Sequence, residues 1–142
     1  MVKIAIIEDD PTISQMYRMK FEADGFDVRL AGNGAVGIAL VKQFQPDAIL
    51  LDLQMPEVNG IEALRQIRSQ PASAQTPVIP VIVLTNLGQE EAPADLQSLA
   101  IHSYIVKANM TPRQVVDQVK SAIANTTRTL PKSAVQRGAN TP

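Results

Sequence analysis

The chain has 142 residues, of which 45% are hydrophobic, 19% charged and 4% aromatic, with no Cys and no Trp. That is enough chain for one domain with an aliphatic core, and it rules out a disulfide framework, a thiolate metal site or a cysteine nucleophile. A formal net charge of -1 gives no electrostatic pull towards nucleic acid, and acids from position 8 leave no apolar stretch for a leader or a membrane span. A cytoplasmic protein with no direct nucleic-acid or membrane partner is therefore expected.

Residues 2–7 are mostly apolar and β-branched, and Glu8, Asp9 and Asp10 end the run. Asp10-Pro11 then reads as a helix cap followed by proline at the first helical position, so the first strand meets the first helix at an acidic corner. Ile13, Met16, Tyr17 and Phe21 recur at helical spacing until Gly25, which predicts a helix over about 11–24 with Met16 and Tyr17 as core packing. A second strand is expected over 26–30 and a turn at Gly32-Asn33-Gly34. A helix over 35–44 should follow, burying Ile38 and Val41 and ended by Gln45-Pro46.

The stretch 47–56 drives an apolar run straight into an acid. Ala48, Ile49, Leu50 and Leu51 are continuous, as in a parallel strand covered on both faces, and Asp52 ends them. Pro56 and Gly60 mark an irregular loop before a helix starting near Ile61, which should bury Ile61, Leu64 and Ile67 and keep Arg65 and Arg68 on its wet side. After an aperiodic connector, a fourth strand is expected over 78–84, with Pro80 at its start or at an unpaired position, ending at Thr85-Asn86. A helix over 89–99 carries Pro93 near its start, and Tyr104-Ile105-Val106 is a fifth strand ending at Lys107. Residues 111–114 have capping-box spacing, and Val115, Val116, Val119, Ala122 and Ile123 form the buried stripe of a last helix. Strands alternating with helices imply a doubly wound α/β fold around a parallel sheet. The domain is expected over 1–125. Residues 126–142, whose only large apolar side chains are Leu130 and Val135, are expected to be a flexible tail or linker.

Four of these strands end on chemistry: Glu8 and Asp9, then Asp52, then Thr85, then Lys107. In a doubly wound sheet such ends converge along one edge. Three acids together repel one another unless a cation neutralises them, and oxygen-only ligands favour a hard ion such as Mg²⁺. A hydroxyl and an ammonium beside them suit an anion, the layout for moving a phosphoryl group onto Asp52. Each residue alone has an ordinary reading: Asp10 as a helix cap, Thr85 as a satisfied hydroxyl, Lys107 as a solvated charge, His102 as an exposed side chain. The coincidence of four strand ends carries the argument.

In this pattern, residues 2–125 resemble the receiver domains of bacterial two-component response regulators, in particular single-domain, chemotaxis-regulator-like ones. The matching pieces are Ile-Ile-Glu-Asp-Asp-Pro, Leu-Leu-Asp-Leu-Gln-Met-Pro with Asn59-Gly60, Val-Leu-Thr ending at Thr85, and Tyr-Ile-Val-Lys ending at Lys107. The resemblance implies a flavodoxin-like fold of strand order 2-1-3-4-5 and a phosphoacceptor switch, not a turnover enzyme. Asp52 would take a phosphoryl group from a phosphohistidine of a sensor kinase or phosphotransfer protein, by Mg²⁺-dependent self-catalysis, and lose it slowly. Asp9 would bind Mg²⁺ directly, Glu8 through water, Asp52 by its carboxylate and Gln54 by its backbone carbonyl. Thr85 and Lys107 would hold phosphoryl oxygens, and Tyr104 would change rotamer on activation. An output partner would dock on the face of the fourth helix, fifth strand and last helix; homodimerisation on phosphorylation stays open.

The sequence departs from that family at three places: Ala108 follows Lys107 where proline is usual, Asn86 stands where a small residue is common, and Leu99-Ala100-Ile101 replaces a commoner Leu-Gly-Ala. Three other readings compete. An FMN-binding flavodoxin-like carrier would have its phosphate repelled by residues 8–10. A phosphatase of the haloacid dehalogenase type needs an Asp-x-Asp pair that Leu53 and Gln54 do not provide. An unphosphorylated docking module on the same fold would have no need of the complete residue set.

Overall fold

Five parallel strands form one sheet in the computed structural model of the chain, which describes residues 2–53, 60–69, 78–86, 96 and 99–128, with the backbone alone for 126–128. The strands are β1 (Lys3–Ile7), β2 (Asp27–Ala31), β3 (Ala48–Leu51), β4 (Val81–Thr85) and β5 (Ser103–Val106), in the order β2-β1-β3-β4-β5. Between them run α1 (Pro11–Ala23), α2 (Gly34–Phe44) and α3 (Gly60–Arg68), and after β5 a short 3-10 turn (Lys107–Asn109) leads to α4 (Pro112–Arg128). The doubly wound order expected from the sequence is the order found. Most of the helix expected over 89–99 lies outside the described residues.

Strand alternation divides the core in two. Ile4, Ile6, Val28, Ala48, Leu50, Ile82, Leu84 and Ile105 face one side, where Tyr17 and Phe21 of α1 and Val115, Val116, Val119 and Ala122 of α4 cover them. Ala5, Ile7, Ala31, Ile49, Leu51, Val81 and Val83 face the other, under Val41 of α2 and Leu64 and Ile67 of α3. Both faces of β3 and β4 are thereby dry, which is why their sequences read as unbroken apolar runs.

The helix ends follow their local signals. Asp10 Oδ1 accepts from the backbone N–H groups of Thr12 and Ile13 at 2.9 and 3.3 Å, with Pro11 as the first helical residue. At α4 the capping box closes both ways: Gln114 N donates to Thr111 Oγ1 at 3.2 Å and Thr111 N to Gln114 Oε1 at 2.8 Å. No cis peptide occurs among the described residues, the Lys107–Ala108 bond included.

Several details differ from expectation, among them Ile61 and Ile123, which are only half-buried. Val78 is outside β4 and exposed, because Pro80 has no N–H for the ladder and pairing begins at Val81, with Ile49 N donating to the Pro80 carbonyl. β2 starts at Asp27, not Phe26. In α2, Ile38 is only half-buried and Gly37 makes the close approach to β1: a Cβ there would stand 2.7 Å from Ile7 Cδ1. Arg68 is not on a wet face but half-buried, because its guanidinium donates to the Leu99 and Ala100 carbonyls.

Candidate functional site

The sheet reverses direction of growth between β1 and β3, and the crevice beyond their carboxyl ends is where open α/β sheets hold ligands. Ile7 pairs with Leu51, so the residues one step further, Glu8 and Asp52, stand level, and Asp52 N donates to the Ile7 carbonyl at 2.9 Å. Thr85, fully buried, ends β4 opposite Val106, which puts Lys107 one step beyond on the neighbouring strand. Register alone thus brings four chain-distant segments to one edge.

The carboxylates of Glu8, Asp9 and Asp52 each offer an oxygen within 4.8 Å of the others. Glu8 and Asp52 are each 5% exposed, whereas Asp9 is at the surface. Lys107 Nζ lies 2.9 Å from Glu8 Oε1 and 3.8 Å from Asp52 Oδ2, so the ammonium bridges the two buried acids. Burial pushes the Glu8 carboxyl up to about 7. The hydrogen bonds from Lys107 and the Asp10 N–H pull against that shift, and the Asp52 charge adds to it. A buried acid that is hard to ionise without a cation, next to two further carboxylates, is a donor set suited to a hard divalent ion. The oxygen-only ligand set fits Mg²⁺.

Other residues named from the sequence fall as follows. Tyr104 is half-buried and packs against the cluster that contains Val83 and Leu64, on the face opposite the one lined by Tyr17. His102 is exposed, with Nδ1 2.7 Å from Ser103 Oγ. Gln54 and Asn59 lie outside the described residues. Gly60 was legible as a loop mark, but its role is steric. Its N–H donates to the Leu53 carbonyl at 3.2 Å, and a Cβ there would overlap the Asp52 carbonyl oxygen and stand 2.5 Å from Leu53 Cα. Tyr17, read as core packing, is indeed buried; its hydroxyl is pushed up in pKa by burial and then by the Glu8 charge, so it belongs to the electrostatic surroundings of the acids. Helical spacing cannot reveal that.

A family model described as the response regulator receiver domain matches residues 4–120. The chain is 41% identical over 92 residues to protein PilH of Pseudomonas aeruginosa, covering 63% of this chain and 72% of PilH. It is 35% identical over 127 residues to the transcriptional regulatory protein ResD of Bacillus subtilis, covering 89% of this chain and 50% of ResD. It is 44% identical over 89 residues to the DNA-binding dual master transcriptional regulator RpaA of Synechocystis, covering 63% of this chain and 36% of RpaA. The chain therefore spans half or less of the length of these two transcriptional regulators. Among solved structures, the receiver domain of the Francisella response regulator 1452 superposes with a TM-score of 0.76 at 26% identity, covering 89% of this chain and 99% of that one. The Vibrio cholerae chemotaxis protein CheY4 shares the fold at a TM-score of 0.76 and 23% identity, covering 86% of this chain and 98% of that one. Nothing in these likenesses favours an FMN carrier. Among the described residues, no helix is long and apolar enough to cross a membrane.

Proposed function

The chain belongs to the response regulator receiver family of two-component signalling, and from that premise we propose that Asp52 is its phosphoacceptor, fed by a phosphohistidine of a sensor kinase or phosphotransfer protein in the cytoplasm. The observation that carries this reading is the Glu8–Lys107–Asp52 bridge: a buried carboxylate at the end of β3, flanked by acids on one side and by an ammonium at 3.8 Å on the other. Asp52 supplies the attacking carboxylate oxygen. As its O–P bond forms, the P–N bond of the donor breaks and the imidazole leaves with the electron pair. Lys107 shifts from the acids to the incoming phosphoryl oxygens, where its charge is needed once theirs has been neutralised. Thr85 donates its hydroxyl to the same group, and Tyr104 moves with it to change the surface that a partner reads. Glu8, Asp9 and Asp52, with the Gln54 carbonyl, would hold Mg²⁺, which when bound screens the acids from the phosphoryl charge. The chain's own groups do the transfer, so donor identity affects rate more than chemistry. The relatives that carry DNA-binding functions suggest that an output domain or separate partner reads the switch.

The test is intact mass after acetyl phosphate, with and without Mg²⁺. One phosphoryl adduct is expected with the ion, none without it, and none in Asp52→Asn. An adduct that survives the substitution would place the acceptor elsewhere.

A further inference from the structure

Arg68 ends α3, and its guanidinium fork reaches across to a segment far along the chain. Nε donates to the Leu99 carbonyl at 2.9 Å and Nη2 to the Ala100 carbonyl at 3.0 Å. Ala100 has φ +56, the left-handed region that a residue bearing a Cβ occupies at a cost. Two charge-assisted bonds to successive carbonyls offset that cost, and the planar fork presents both donors in a fixed geometry. The turn they hold leads directly into β5: His102 N donates to the Val81 carbonyl at 2.8 Å, and Tyr104 pairs with Val83. Leu99, Ile101 and Tyr104 pack against the same cluster as Leu64 and Ile67 of α3. At its other end α3 starts at Gly60, which leaves no space for a side chain beside the backbone of Asp52 and Leu53.

We propose that Arg68 is a positioning residue that latches the Leu99–Ala100 turn in its left-handed form, and through it fixes where β5 places Tyr104 and Lys107 relative to Asp52. The consequence for phosphorylation rests on the assignment of Asp52 above; the latch itself does not. The rival reading is that a half-buried guanidinium merely borrows two carbonyls as a substitute for water. In that case its removal would leave Tyr104 where it is, and the backbone of residue 100 would have no bearing on the outcome.

The chain has two tyrosines, Tyr104 beside the latch and Tyr17 in the opposite core cluster, so 3-fluorotyrosine labelling gives a reporter and an internal control in one fluorine spectrum. Arg68→Met, and the milder Arg68→Lys, should displace or split the Tyr104 resonance and leave that of Tyr17 unmoved. Ala100→Gly alone should change neither, and in combination with Arg68→Met it should bring the Tyr104 resonance back, because glycine takes the left-handed turn unaided. Three results overturn the latch: an unmoved Tyr104 in both Arg68 variants, an equal change at both tyrosines, or no recovery in the double variant. With acetyl phosphate and Mg²⁺, Arg68→Met should take up phosphoryl more slowly than wild type, and the double variant should recover the rate. If the wild type takes up none, the acceptor assignment fails while the fluorine result still decides the latch.

Discussion

Replacing Lys107 by Met separates two opposed effects at the acidic site. Nζ lies 2.9 Å from Glu8 Oε1 and 3.8 Å from Asp52 Oδ2, so a cation held by these acids must displace the ammonium or sit against it. A hydrogen bond to a charged group is worth about 1.5–3 kcal/mol. If metal binding forfeits half of that, removing the lysine tightens Mg²⁺ by roughly three- to tenfold, at about 1.4 kcal/mol per decade. The opposing effect is protonation. Glu8 is already pushed up to about 7 by burial, and loss of the Lys107 bond raises it further, so near neutral pH a proton replaces the lysine as competitor. Titration near pH 8.5, above that value, weakens the second effect. Calorimetric titration should therefore show Lys107→Met binding Mg²⁺ about three- to tenfold tighter near pH 8.5, with a smaller gain near pH 7. Equal or weaker binding by the variant near pH 8.5 would refute the claim that the ammonium competes with the ion.

Gly60→Ala should destabilise by about 1–3 kcal/mol through overpacking and Gly37→Ala by less, and only Gly60→Ala should slow phosphoryl uptake, since its Cβ would meet the backbone of Asp52 and that of Gly37 only the Ile7 side chain. Urea melts beside intact-mass time courses check this, and equal uptake rates would dissociate Gly60 from the acceptor. Hydrogen bonds from Arg113 and then Lys120 hold the Asp24 carboxyl well below the usual range. A depressed folded pKa means that the stabilisation is present above the unfolded value of 3.8 and is lost as pH falls below it. The gap in urea midpoint between wild type and Asp24→Asn should then close in strong acid, and a gap independent of pH would refute the pairing. Deleting residues 129–142 should leave Mg²⁺-dependent phosphoryl uptake unchanged, because Ala122 is the last fully buried residue of α4 among the described ones. Loss of uptake in the truncation would show the tail to be part of the domain.

Much of the site was legible because a parallel sheet buries both faces of its inner strands. An apolar run such as Ala48–Leu51 then marks a strand, and the first polar residue after it marks a carboxyl end, which is where Glu8, Asp52 and Lys107 meet. Where volume and not polarity decides a contact, the pattern was silent: hydrophobicity pointed to Ile38 on α2, yet the close approach to Ile7 is made by Gly37. Backbone chemistry set the start of β4, since Pro80 cannot donate, and the exposed Val78 stays outside despite its β-branched side chain.

Arg68 was misplaced for a different reason. Helical spacing puts it on the stripe, seven residues after Ile61 and four after Leu64, but a guanidinium reads as solvated whatever its position. What covers it is a turn 31 residues further on, which no local window contains. The replacement of Leu-Gly-Ala by Leu99-Ala100-Ile101 was visible in the sequence, but its meaning was not, because the letters carry no φ. With Ala100 at φ +56 and its carbonyl held by Arg68, the two positions are to be read as a pair. A chain with glycine at position 100 holds the left-handed turn without the fork and can vary at 68. One with a Cβ at 100 needs a rigid, planar double donor there, and lysine does not meet that need.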